Sequence, residues 1–180
     1  MPSDGRIAEI ARLVDDHLEA VYRYAYALSG SPSDAEDLVQ DAFLVALDKL
    51  DQVRNLDCAR SWLFVIVRNR FLRSRRRLAP TPATNLQMDL NDVADAVQQP
   101  DGEIEIEQLR SALAALPEVF RVVLTMFYFE NLSYREMAEA LGAPIGTVMS
   151  RLARAKAHLR AELSASREAE QLRSSASRRG

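Results

Sequence analysis

The stretch LSYREMAEALGAPIGTVMSRLARAK, residues 132–156, reads as two short helices joined by a glycine turn. Ser133 and Glu136 form a capping-box pattern, in which a serine oxygen and a glutamate carboxylate satisfy free amides of a first helical turn. Met137, Ala138 and Leu141 then recur at helical spacing and are expected to face inward. Gly142 stands where a helix must end with positive φ, and Pro144 suits the first turn of the next helix. Small side chains at Ala138, Ala140 and Ala143 would let the two helices cross closely. These features together predict a helix-turn-helix.

In its second helix Ile145, Val148, Leu152, Ala155 and Leu159 recur every three or four residues and mark the expected buried side. Thr147, Arg151, Arg154 and His158 fall on another face, with Ser150 beside them, and Arg135 lies on the first helix. A helix in the major groove needs this chemistry, because arginine can pair bidentately with guanine while Thr and Ser reach bases or phosphates. A helical hairpin with a solvated basic side is the plainer alternative.

Working outward, charge is segregated in blocks although the formal net charge is only −3. Residues 1–57 hold twelve acids against five bases, and residues 58–77 hold seven arginines and no acid. Residues 78–109 then carry seven acids and neither Lys nor Arg. Between 140 and 161, Arg151, Arg154, Lys156 and Arg160 occur without a carboxylate. A uniformly solvated surface seldom sorts charge in this way.

The run ARSWLFVIVRNRFLRSRRR, residues 59–77, is apolar on every side from Trp62 to Val67, so it must pack against other helices or dock on something. Arg68, Arg70, Arg73, Arg75, Arg76 and Arg77 follow, which suggests a polyanion as partner. Before it, Ile7 to Leu28 reads as a helix closed by Ser29-Gly30-Ser31-Pro32, and a capping-box pattern at Ser33 and Glu36 is expected to open a second helix to about Leu50. Leu38, Ala42, Val45 and Ala46 give that second helix a core face. Asp34, Asp37, Asp41 and Asp48 form an acidic stripe that is either solvated or offered to a partner.

Residues 79–103, rich in Pro, Thr, Asn, Gln and acids, read as a linker. Beyond it Leu109, Leu113 and Leu116 fit one helix. Pro117 is expected in the first turn of the next, whose core stripe is Leu116, Phe120, Val123, Leu124 and Phe127. The terminal SASREAEQLRSSASRRG lacks the apolar content to pack and is expected to be disordered beyond a frayed helix end. The expected fold is all-α: two small helical domains, 1–78 and 109–163, joined by a flexible acidic linker, 79–108, and followed by the tail 164–180.

The single cysteine, Cys58, excludes an intramolecular disulfide and a cysteine-rich zinc site, and fits a reducing cytoplasm. Neither a signal-peptide core nor a spanning segment opens the chain. His17 and His158 are the only histidines, and no nucleophile elbow, phosphate loop or zinc-helix motif is present, so no metal, cofactor or catalytic set is expected.

The segments DAEDLVQDAFLVAL, SWLFVIVRNRFLRSRRR and ALPEVFRVVLTMFYFENLSYREMAEALGAPIGTVMSRLARAKAHLR, in this order, resemble bacterial extracytoplasmic-function sigma factors. The resemblance implies a subunit that binds the RNA polymerase core at the β′ clamp helices and the β subunit, directs it to promoter DNA, and is commonly held by an anti-sigma protein. It implies that Asp37, Gln40, Asp41 and Phe43 face polymerase. It also implies that loop 54–60 and the following helix, with Trp62, Arg68, Asn69, Arg73, Arg75 and Arg76, open and read the downstream element as single strand. Arg135, Thr147, Ser150, Arg151, Arg154 and His158 would read the upstream element as duplex. The loop RNLDCAR, residues 54–60, matches no base-accepting loop of the family, so the base it takes stays open. Two other functions fit the sequence: a sigma-like adapter that sequesters an anti-sigma protein, and a stand-alone helix-turn-helix transcription factor.

Overall fold

The computed structural model describes residues 4–49, 58–78 and 106–177, and these form helices without a strand. The loop 54–57 and most of the acidic linker therefore lie outside the described residues. The chain divides into two compact units, 1–85 and 86–180.

Unit 1 contains α1 (Asp4–Ser29), α2 (Pro32–Lys49) and α3 (Ala59–Leu78), each packed against the other two. Along α1 the buried Leu13, Val21, Tyr24, Ala25 and Leu28 recur at helical spacing, giving one apolar stripe. Gly30, at φ 72°, ends α1, and its amide donates to the Tyr26 carbonyl at 2.8 Å. The next helix starts earlier than the Ser33–Glu36 pattern suggests. Ser31 is its cap, accepting from the Asp34 amide at 3.4 Å, and Pro32 takes the first helical position, where its missing amide costs nothing.

Small residues Ala35, Ala42 and Ala46, with Leu38 and Val39, line the buried side of α2; Val45 is only half-buried. On α3 the core side is Ala59, Leu63, Phe64, Val67 and Phe71. The ring of Phe64 stacks on that of Tyr24 with centroids 4.4 Å apart and planes 10° apart, tying α3 to α1. Burying each large apolar side chain contributes about 1.5–3 kcal/mol. The apolar run Trp62 to Val67 is thus resolved into a buried half and an open half, with Trp62 and Ile66 half-buried and Val65 exposed.

Unit 2 is built around one long helix. Here α4 (Ile106–Ala115), α5 (Glu118–Tyr128) and α6 (Tyr134–Leu141) all pack on α7 (Ile145–Ser177). The first of these starts three residues before the expected domain edge at 109, and Leu109 is exposed, whereas Ala112 and Leu116 are buried. Arg121 is buried on α5 and donates to the Leu116 carbonyl at 2.6 Å and the Ala114 carbonyl at 3.4 Å, satisfying acceptors that the end of α4 leaves open. Leu116, Phe120, Val123 and Leu124 are buried as expected, with Phe127 half-buried. Pro117 and Pro144 each stand one residue before their helices, as caps, and not inside the first turn.

The turn chemistry of α6 follows the sequence closely. Ser133 Oγ accepts from the Glu136 amide at 3.3 Å, and Glu136 Oε2 accepts from the Ser133 amide at 2.8 Å, completing the capping box. Gly142 adopts the left-handed conformation, φ 60° and ψ 37°, and the Ala143 amide closes back on the Ala138 carbonyl at 3.0 Å.

Val148, Leu152, Ala155 and Leu163 form the buried side of α7. Ile145, expected there, is 49% exposed because it precedes the first full turn that meets α6. The tail expected to be disordered is helical to Ser177, making α7 33 residues, or about 50 Å, long. Once a helix is nucleated by packed turns, extending it costs little, and residues 164–177 contain no Gly or Pro to stop it. Among the described residues no helix is long and apolar enough to cross a membrane.

Candidate nucleic-acid and protein interfaces

On α7, Thr147, Arg151, Arg154 and His158 follow at spacings of four, three and four and so share one side of the helix, away from Val148, Leu152 and Ala155. Thr147, Ser150, Arg151 and Arg154 are half-buried and His158 is exposed. Arg151 and Arg154 form no ion pair with any acid among the described residues. Ser150 Oγ donates to the Thr147 carbonyl at 3.0 Å, so in the free chain its proton is turned toward the backbone. The His158 ring lies 5.3 Å from that of Phe120, which fixes it at the edge of the core. On α6 the Arg135 side chain is 84% exposed and pairs with Glu139 at 3.3 Å, one turn along.

Two features of this unit escape a reading of the sequence. Ile145, 49% exposed, and Met149, 40% exposed, leave apolar surface open on α7 away from its polar face. Lys156 is withdrawn from that face: its Nζ lies 4.4 Å from the Phe127 ring centroid and 5.7 Å from that of Tyr128. Phe127 in turn stacks on Tyr134 at 6.1 Å. Burial pushes the Lys156 ammonium below its usual range, and Arg160 adds to the effect. Nothing local in the sequence signals this cluster, because its members come from three helices.

In unit 1 the basic block of α3 separates into three environments. Arg68 is 7% exposed, one turn from both Phe64 and Phe71 on the core side. Trp62, Asn69 and Arg73 share the outer side with Ile66, at spacings of four, three and four, and Asn69 and Arg73 are exposed. Arg76 continues that register, though its side chain lies outside the described residues.

Arg70 and Arg75 belong to the third environment, on the side that meets α2. Arg75 Nη2 approaches Asp34 Oδ2 to 3.3 Å, and Arg70 Nη1 approaches Asp41 Oδ2 to 3.7 Å. Both pairs edge an open groove of about 250 Å³ whose wall includes Asp37 and Phe71. The acidic stripe is therefore not merely solvated: it meets part of the basic block of its own chain.

Along α2, Asp37 and Gln40 are exposed and Asp41 and Phe43 half-buried. Leu44, 61% exposed, sits between Asp37, Asp41 and Asp48 on the same face. Cys58 is exposed next to α3.

Comparison with known proteins agrees along the chain. Residues 13–81 match the family described as Sigma-70 region 2, and residues 106–159 match Sigma-70, region 4. The chain is 34% identical over 160 residues to the ECF RNA polymerase sigma factor EcfG of Rhodopseudomonas palustris, covering 84% of each chain. It is also 34% identical over 153 residues to the ECF RNA polymerase sigma factor SigE of Mycolicibacterium smegmatis, covering 82% of this chain but only 59% of that protein's length. Among solved structures, the sigma factor RpoE in complex with the anti-sigma factor NepR from Bartonella quintana is similar, with a TM-score of 0.57 and 26% identity. That match covers 87% of this chain and 97% of the RpoE chain.

Proposed function

The chain belongs to the extracytoplasmic-function sigma factors of RNA polymerase, and on that premise we propose that it binds the polymerase core and directs promoter-specific initiation of transcription. Docking uses the α2 face with Asp37, Gln40, Asp41 and Phe43, joined by Leu44, against the β′ clamp helices. The β subunit supplies further contact. The outer side of α3, with Trp62, Asn69, Arg73 and Arg76, takes the melted downstream element. There a ring can stack on a base while arginines meet phosphates. Unit 2 reads the upstream element as duplex through Arg135, Thr147, Ser150, Arg151, Arg154 and His158 on α6 and α7. Every step is non-covalent, and the place of action is the cytoplasm, where the polymerase is.

The observation that carries this reading is the α7 face. Arg151 and Arg154 stand clear of every described acid, on a helix aimed by a capped α6 and a left-handed Gly142. A groove-reading helix requires both unneutralised donors and a fixed approach. By likeness to the RpoE chain seen with NepR, an anti-sigma protein covering the polymerase-facing surface is the proposed regulator. We further propose that residues 79–105 serve as the connecting segment and that α4 begins the upstream-reading domain.

The test is a reconstituted reaction. Purified protein is added to core polymerase on genomic fragments and the transcript starts are sequenced. The reading requires starts that share two spaced sequence elements and are absent with core alone. Starts indistinguishable from those of core alone would refute it.

A further inference from the structure

The two ion pairs between α2 and α3 join the acidic stripe to the basic block. Asp34 and Asp41 belong to the acidic stripe that contains the proposed docking face, while Arg70 and Arg75 belong to the basic block. All four side chains are between about one third and one half exposed, so both pairs are open to exchange. They also lie along the rim of the same open groove.

The helices run antiparallel here, since Asp34, near the start of α2, meets Arg75, near the end of α3, and Asp41 meets Arg70. Each charge at the outer pair also complements its own helix terminus, so both partners have reason to stay when unbound. Exposed pairs of this kind are individually weak and yield readily to a competing charge.

We propose that these pairs form an exchange device. A cationic partner surface docking on Asp34, Asp37 and Asp41 displaces Arg70 and Arg75, which then turn to nucleic-acid phosphate, so docking and DNA binding by unit 1 are coupled. The partner's chemistry follows from charge complementarity: a surface carrying basic side chains that meets the groove-lining Asp34, Asp37 and Asp41, with an apolar contact for the exposed Leu44 of the same helix. Without that partner, the aspartates hold two of the arginines away from DNA and the arginines screen two of the aspartates. By linkage, DNA held by Arg70 and Arg75 must strengthen docking by the same factor as docking strengthens DNA binding. This proposal rests on the assignment of α2 as the docking element.

The test uses the full chain and labelled single-stranded DNA of mixed sequence at low salt, followed by fluorescence anisotropy. The double variant D34N/D41N is compared with E9Q/E36Q, which changes net charge equally at two other exposed acids. The expected result is that D34N/D41N binds about three- to tenfold tighter than the control, from the release of two exposed pairs. In an R70Q/R75Q background the difference should vanish. Equal gains in D34N/D41N and the control, or a difference that persists without the arginines, would overturn the proposal. In a second arm, R70Q/R75Q alone should bind core polymerase about threefold tighter than the unaltered chain, because the acids are uncovered; unchanged or weaker binding would also overturn it. If the unaltered chain does not bind core polymerase at all, the assignment as a polymerase subunit fails while the DNA arm still decides the role of the pairs. Thermal unfolding of each variant checks that the helices remain packed.

Discussion

Unit 1 and unit 2 both carry arginine-rich helices, but they treat the charge differently. In unit 1, Arg70 and Arg75 are matched across a helix pair to acids 29 and 41 residues earlier in the chain. In unit 2, Arg135 and Arg110 pair one turn away on their own helices, and Arg151 and Arg154 meet no described acid. A surface that reads duplex DNA can stay open, because the duplex supplies all the countercharge. A surface shared between a protein and a melted strand must not collapse on either one first. Under the exchange proposed above, internal pairing across α2 and α3 would provide that restraint.

The largest expected effect tests whether unit 1 holds α3 rigidly enough for its three environments to persist. Phe64→Ala removes the stack on Tyr24 and should destabilise unit 1 by about 3–5 kcal/mol, read by denaturant unfolding. A loss below about 1 kcal/mol would mean that the stack does not position α3.

Next comes the open face of unit 2. Replacing both Arg151 and Arg154 by Ala should lower initiation about thirtyfold or more at a promoter that depends on its upstream element, since each bidentate base contact is worth about 1–3 kcal/mol. Run-off transcription measures this, with the melting temperature as a folding control. Unaltered initiation would remove the contrast between the units.

A smaller effect probes the aim of α7. No heavy atom lies within 4 Å of a Cβ built on Gly142, so Gly142→Ala is penalised only through its left-handed backbone, by about 1–2 kcal/mol. For a unit of this size that lowers the melting temperature by roughly 4–16 °C. Gly142→Asn should recover much of the loss, because Asn tolerates this conformation.

The smallest effect concerns pH. The hydrogen bond from the Ser133 side chain and then that from its backbone hold the Glu136 carboxyl below the ordinary glutamate range. A depressed folded value means that the capping box contributes fully above the unfolded pKa and that its contribution is lost as pH falls through the folded one. Unfolding curves of the unaltered chain and of Glu136→Gln should therefore converge on acidification. Curves that stay parallel from neutral pH to strong acid would show that the carboxylate form contributes nothing.

These tests also mark what the sequence made legible. The helix-turn-helix could be read because a capping box, a left-handed glycine and a proline act within a few residues of themselves. Helix existence was legible throughout, yet the start of α2 moved to Ser31–Pro32 because two overlapping serine caps compete. The separation of the α3 arginines was not legible, since Arg68 points into the core and Arg70 and Arg75 find acids on another helix, a fact of packing. The continuation of α7 was missed for a different reason: poor apolar content argues against burial, not against propagating a helix already formed.

Trp62, the only tryptophan in the chain, stands half-buried on the outer side of α3 beside Asn69 and Arg73. The molecule thus carries a built-in optical reporter in one unit and none in the other. Under the proposed function, stacking of a nucleobase on the indole would quench its emission. Titrating the unlabelled protein with single strands of different sequence would thereby read out melted-strand preference directly.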